Sequence, residues 1–355
     1  MAEQQGFEPW RHFHALRDFE SRLFDQLEYC SSFWVIIPTV CEKIKDFPVA
    51  FWPVPKPSSF VFGCFHNSPV CEGADPFVLL HEGIYYLYST NSHDGFRVYT
   101  SSDMATWVDK GYCLRDEDVM GDKWFWAPEI MVRNEKFYMV YVANEHLGIA
   151  VSDSPLGPFK QNEKKWLNEE NEIDGHFFVD DDGTVYLYFV RFDNGNVIWC
   201  AKMNDDLLSY DKSTATFLFR AEDEWETRDC SVVEGPFVLK HKGKYYLTYS
   251  ANHTRCEDYA VGCAISESPM GPFVKVDYNP ILKKNSAFNG TGHHSFTTSK
   301  DKKELICVYH ARPFNNTECP RQTCIDRAEF VENPNGKDDI LVIHGPTFEK
   351  QKAFE

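Results

Sequence analysis

The chain has 355 residues, a formal charge of −18 and an aromatic content of 15%. Nucleic acid and anionic membrane surfaces attract Lys and Arg, so a charge of this sign argues against both and suits a neutral partner. The length supports a sizeable core without forcing two domains, and no apolar run is long enough to span a membrane.

Residues 1–60 stand apart from the rest. Arg11, Arg17 and Arg22 lie among aromatics, a short amphipathic helix is predicted from Phe13 to Leu27, and Pro48, Pro53, Pro55 and Pro57 follow. One reading is an accessory helix and linker, helical or poorly ordered. The other, slightly preferred, is a stretch foreign to the native product and introduced by an upstream start. The run Phe33-Trp34-Val35-Ile36-Ile37 is cut by Pro38 and lies too far from the start for a signal peptide. Twelve cysteines show no regular framework. Cys200, Cys230, Cys263 and Cys307 sit in or beside strand-like runs as small apolar residues, and only Cys319 and Cys324 are spaced like a pair. Scattered thiols without a leader favour a reducing, cytoplasmic location.

From residue 61 to 355 one unit recurs five times. It runs from Ala74-Asp75-Pro76-Phe77-Val78 to Tyr85-Tyr86-Leu87-Tyr88, then from Ala127-Pro128-Glu129-Ile130 to Phe137-Tyr138-Met139-Val140-Tyr141. The third copy is Asp174-Gly175-His176-Phe177-Phe178 to Val185-Tyr186-Leu187-Tyr188, and the fourth Glu234-Gly235-Pro236-Phe237-Val238 to Tyr245-Tyr246-Leu247-Thr248-Tyr249. A worn fifth is Gly292-His293-His294-Ser295-Phe296 to Leu305-Ile306-Cys307-Val308-Tyr309. Glycine-containing turns such as His81-Glu82-Gly83 split the apolar runs, which is hairpin chemistry. Two tails also match, Asp153-Ser154-Pro155-Leu156-Gly157-Pro158-Phe159 and Glu267-Ser268-Pro269-Met270-Gly271-Pro272-Phe273. Short strands at a period of roughly 50 residues predict an all-β, five-bladed β-propeller. The run Asp180-Asp181-Asp182-Gly183, tempting as a calcium loop, is read as the hairpin turn of the third copy.

The opening residues of the copies vary into carboxylates. Aligned on the Tyr-rich strand, Asp174 and Glu234 fall together and Asp75 falls one residue later. Equivalent positions on different blades converge around the axis. Three carboxylates at one mouth repel and are partly desolvated, which drives their pKa values apart. The plain alternative for each alone is an acid capping a turn.

Ala74-Asp75-Pro76, Trp126-Ala127-Pro128-Glu129, Ile173-Asp174-Gly175-His176, Val233-Glu234-Gly235-Pro236 and Gly290-Thr291-Gly292-His293-His294-Ser295, in this order over residues 64–345, resemble glycoside hydrolase family 43. The resemblance implies a propeller that cleaves glycosidic bonds with inversion, mostly in arabinose- and xylose-containing polysaccharides. It implies Asp75 as general base, Glu234 as general acid, and Asp174 as the residue that raises the acid's pKa and orients it. An inverting pair is separated by roughly 6.5–9.5 Å. His293, or less directly His294, matches a family histidine near the axis, close to a bound calcium or its waters; the alternative is a buried histidine satisfied by backbone. The sequence shows no dedicated calcium ligand set, and the chemistry requires no cofactor. Trp126 and Trp124 are expected at the mouth as stacking surfaces, with blade packing as the alternative. Arg312 is expected to bond sugar hydroxyls, against an ordinary paired arginine. Glu129 is read as a rim or structural residue. Many xylosidases of this family carry a β-sandwich after the fifth unit; the expectation here is a propeller without one, which leaves substrate choice open.

The leading expectation is an exo-acting β-xylosidase or α-L-arabinofuranosidase on small oligosaccharides. An endo-1,5-α-L-arabinanase is the enzyme alternative, and a non-catalytic carbohydrate-binding propeller the alternative of another class.

Overall fold

The structure is a computed structural model that describes residues 64–65, 71–313, 316–334, 336 and 338–354. The expectations for residues 1–60 lie outside the described residues. Five sheets follow one another along the chain as the blades of a propeller. Blade one contains Ala74–His81, Ile84–Thr90, Gly95–Ser101 and Val108–Arg115, and blade two Trp126–Arg133, Lys136–Ala143 and His146–Ser152. Blade three contains Glu172–Val179, Val185–Phe192, Asn196–Lys202 and Thr216–Arg220, and blade four Val233–His241, Lys244–Ala251, Ala260–Ser266 and Val274–Lys275. Blade five has Phe288–Thr298, Leu305–Pro313 and Gln322–Val331. Its outer position is shared by Cys71–Glu72 and Ile340–Ile343. The strand that precedes blade one therefore pairs with blade five, and backbone hydrogen bonds close the ring. Among the described residues no helix is long and apolar enough to cross a membrane.

The Tyr-rich second strands make the core because each lies between neighbouring blades. Tyr88, Phe96 and Val98 of blade one pack with Phe137, Met139 and Tyr141 of blade two. Val78, Tyr85 and Leu87 pack with Ile306, Val308 and Ile325 of blade five. Buried tyrosines need a partner for the hydroxyl, and the matching tails supply it. Tyr88 donates to the carbonyl of Pro155 at 2.5 Å, and Tyr188 donates to that of Pro269. Each tail thus serves the tyrosine of the blade before it, which explains why the tails recur independently of the opening phrase.

In blades one, two and four the hairpins joining first and second strands turn in two residues with positive φ, as at Glu82-Gly83 (49° and 76°) and Lys242-Gly243 (48° and 77°). This twist matches that of the flanking strands. Blade three differs. Val179 pairs with Val185, and the Asp180 N–H donates to the carbonyl of Thr184 at 2.9 Å, so its turn carries one extra residue. As expected, Asp180-Asp181-Asp182-Gly183 is that turn. Asp180 is bound there by Lys240 and by the Tyr245 hydroxyl, the latter at 2.7 Å.

The extra residue corrects the carboxylate alignment. Strand register places Phe77, Glu129, His176, Phe237 and Ser295 at one level, opposite Tyr88, Val140, Tyr188, Thr248 and Val308. Counting back two residues gives Asp75, Ala127, Asp174, Gly235 and His293. Asp75 and Asp174 are thus the equivalent pair, and Glu234 stands one residue earlier. Counting from the Tyr-rich strand passed through the longer turn and shifted Asp174 by one.

Cys113, Cys200, Cys230, Cys256, Cys263, Cys307, Cys319 and Cys324 are free thiols, so Cys319 and Cys324, spaced like a pair, are not bonded to each other.

Candidate active site

Every inner strand breaks its pairing at the opening phrase, between Ala74 and Phe77 in blade one and at the matching place in the other four. At each break one residue takes positive φ: Asp75 (51°), Ala127 (44°), Asp174 (56°), Gly235 (55°) and His293 (43°). A non-glycine residue there costs about 1–3 kcal/mol. Ala127 and Gly235 adopt the same conformation, so the bulge belongs to the fold rather than to the chemistry. Its effect is to turn one side chain per blade toward the axis, where Asp75, Asp174 and His293 line a single cavity.

Asp75 is 6% exposed and heavily bonded. Arg321 Nη1 donates to Oδ1 at 2.9 Å and Thr90 Oγ1 to Oδ2 at 2.7 Å. His293 Nδ1 lies 3.4 Å from Oδ1. The Asp75 backbone N–H donates to His310 Nδ1 at 3.2 Å. Burial pushes this carboxyl up, but the charges of Arg321 and His293 outweigh it and hold Asp75 well below the usual carboxylate range. Asp75 is therefore ionised whenever the protein is near neutrality.

Asp174 is equally buried but has no cation of its own. Its Oδ2 accepts the Gly235 N–H at 3.1 Å and lies 3.9 Å from His293 Nδ1. Burial, then the charges of Glu234 and Asp75, raise its pKa to about 7 against the pull of His293. His293 is opposed by burial, yet Asp75, Asp174 and Glu234 raise its pKa and favour the imidazolium. Its backbone N–H is fixed by Ser250 Oγ at 2.7 Å. Glu234 is half-buried and clamped at both oxygens. The Tyr259 hydroxyl donates to Oε1 at 2.8 Å and Asn196 Nδ2 to Oε2 at 3.0 Å.

The other expected residues lie as follows. Trp126 opens the inner strand of blade two, in the same column as Glu234, and stacks on Trp124 with centroids 6.0 Å apart and planes at 17°. The Lys123 ammonium sits 4.0 Å from the centroid of the Trp124 ring. Arg312 is 6% exposed, and its Nη1 donates to the carbonyl of Thr254 at 2.6 Å. Burial and the nearby Arg321 lower it to about 10. Glu129 ties blades two, three and four together. It accepts the Phe177 N–H at 2.8 Å and receives His176 Nδ1 at 2.9 Å, while His176 Nε2 accepts the Val238 N–H at 2.9 Å. That arrangement supports the structural reading of Glu129.

Calcium takes six to eight oxygen ligands. His293 faces two carboxylates already bonded to Arg321, Thr90 and the Gly235 N–H. Among the described residues no group of three or more His, Cys, Asp or Glu side chains is arranged to hold a metal. The donor set does not fit a directly held calcium, and no step below uses one.

Sequence reasoning missed Asn196, Tyr259, Arg321, Thr90 and His310. Three of these share a signal. Antiparallel pairing makes the first and third strands of a blade run the same way, so both begin at the mouth. Asn196 opens the third strand of blade three, Tyr259 precedes that of blade four and Arg321 that of blade five. Tyr259 also explains Gly292, since a Cβ there would lie 2.3 Å from the Tyr259 ring. Thr90 and His310 come from second strands, where the Tyr-rich pattern reads as core and hides them.

The profile described as Glycosyl hydrolases family 43 matches residues 66–335. Among curated proteins, the chain is similar to a beta-D-galactofuranosidase of Aspergillus niger, at 28% identity over 75% of this chain and 82% of that one. A beta-xylosidase of Xylanibacter ruminicola is 25% identical over 72% of this chain and 93% of its own. Among solved structures, an endo-1,4-beta-xylanase of Bacteroides thetaiotaomicron is 39% identical with a TM-score of 0.74, covering 79% of this chain and 97% of that chain. A thermostable family-43 glycoside hydrolase is 38% identical with the same TM-score, covering 82% and 99%.

Proposed function

The chain belongs to glycoside hydrolase family 43 and is a glycosidase, and from that premise we propose that it is an inverting, exo-acting enzyme on small arabinose- or xylose-containing oligosaccharides. Asp75 is the general base. It takes a proton from a water on the face of the sugar opposite the leaving group, and the water oxygen bonds to the anomeric carbon as the glycosidic bond breaks. Glu234 is the general acid and gives its proton to the departing oxygen. Asp174, whose own pKa is raised to about 7 by burial and by the charges of Glu234 and Asp75, accepts the Gly235 N–H and so fixes the backbone next to Glu234, orienting the acid. Tyr259 and Asn196 aim the Glu234 carboxyl.

One observation carries this reading. Neighbouring carboxylates have been driven apart, Asp75 well below its usual range and Asp174 up to about 7, which is how one pocket keeps a base ionised and a proton available. Family membership sets the non-catalytic alternative aside.

Endo action is the second reading, favoured by similarity to a protein named an endo-1,4-beta-xylanase. A panel of 4-nitrophenyl β-D-xyloside, α-L-arabinofuranoside and β-D-galactofuranoside, set beside linear arabinan and xylan, separates the two. We expect turnover of at least one pentoside and release of monosaccharide from oligomers. Rapid viscosity loss of a polymer with no monosaccharide released would replace exo by endo action.

A further inference from the structure

We propose that the wide cavity on the face of the propeller opposite the catalytic mouth binds a small amphipathic carboxylate. The inner strands end there and leave a cavity of about 600 Å³, within the range of small-molecule sites. Its floor is apolar. Phe177, Phe237, Phe296 and Met131 are buried there, while Val132 and Val179 are 37% and 41% exposed along the wall. Apolar side chains left open to solvent in a concave site favour an apolar guest.

Two polar groups of the floor, Glu129 and His176, are committed to each other and to backbone N–H groups. A sugar would find few acceptors there. The rim is different. Lys300 and Lys302 both border the cavity and are exposed, and among the described residues neither has a carboxylate partner. The nearest aromatic contact places Lys300 Nζ 5.9 Å from the Tyr85 ring centroid. Nearby lysines are paired, Lys303 with Asp301 at 2.8 Å and Lys242 with Asp339 at 2.8 Å. The rim carboxylate Glu82 is 85% exposed and lies 4.0 Å from His81. In a chain of formal charge −18, two unpaired ammoniums above an apolar floor select an anion with an apolar body. A single carboxylate on an aromatic or short aliphatic group fits both features.

The test uses the full chain and calorimetric titration with 3-phenylpropionate, 3-phenylpropan-1-ol and 3-phenylpropylamine. The acid should bind at one site, with the alcohol weaker by roughly tenfold or more and the amine undetectable. Lys300→Gln with Lys302→Gln should bring the acid to the alcohol's level and leave glycoside hydrolysis unchanged. Val179→Trp, which fills the wall, should remove both acid and alcohol binding. Equal binding of acid and alcohol, no binding of either, or acid binding indifferent to the lysine variants would each overturn the proposal. So would displacement of the acid by a monosaccharide product, because the guest would then sit in the catalytic mouth.

Discussion

Asp75→Asn should lower kcat by about 10²–10⁴-fold, the contribution of a positioned general base, while circular dichroism stays that of the parent. Asparagine keeps the shape of the side chain and its single amide oxygen can still accept from Arg321, but an NH2 group replaces the oxygen that accepts from Thr90, and it cannot take a proton from water. The environment makes Asp75 the specific choice among the acids of the pocket. Arg321 and His293 overcome burial and keep it ionised, so it is charged before substrate arrives. The sign of the pH dependence follows. A base whose pKa is depressed loses function only when pH falls through that low value, so the acid limb of kcat/KM should lie below the ordinary carboxylate range. Asp75→Asn activity within a few-fold of the parent would assign the base elsewhere.

Glu234→Gln should cost a similar factor on oligosaccharides, about 10²–10⁴-fold, and much less on a 4-nitrophenyl glycoside. Nitrophenolate departs without needing a proton, whereas a sugar alkoxide does not. The ratio of the two losses therefore reads out an acid and separates it from a residue that merely shapes the pocket. Equal losses on both substrates would remove Glu234 from that role. Tyr259→Phe removes one donor to the same carboxyl and should lower kcat by about tenfold with little change in KM. The alkaline limb of the wild-type profile should fall near the value of Asp174, about 7. Above it Asp174 loses its proton and adds its charge to that of Asp75 beside the sugar. Since these groups titrate together, that limb belongs to the cluster rather than to a single side chain.

The fold was legible because its signals are local and repeated. Five Tyr-rich strands, two-residue glycine turns and matching tails each state the same unit, and the unit has no other way to bury its rings. The identity of the carboxylate columns was also legible, but not their register. One extra residue in the Asp180–Thr184 turn moved Asp174 onto Glu234 in a count along the chain, and only hydrogen-bond pairing shows that Asp75 is its true counterpart. The residues that tune the acids were harder to see. Arg321 reaches Asp75 across 246 positions, and Tyr259 looks like any strand-edge aromatic until its hydroxyl is found on Glu234. Arg312 was singled out because it follows a Tyr-rich stretch, yet it lies buried against the Thr254 carbonyl, while the arginine touching the Asp75 carboxylate stands just before the next strand. Strand starts and ends carry the site in a propeller, and a single sequence marks those boundaries poorly.

Following product anomer by proton NMR in the first minutes of hydrolysis tests the central claim most directly. A base at Asp75 acting through water, across the sugar from an acid at Glu234, requires the first product formed to have the anomeric configuration opposite to that of the substrate, before mutarotation sets in. First-formed product of retained configuration would mean a covalent glycosyl-enzyme and a nucleophilic carboxylate, and would contradict the roles assigned to Asp75 and Glu234.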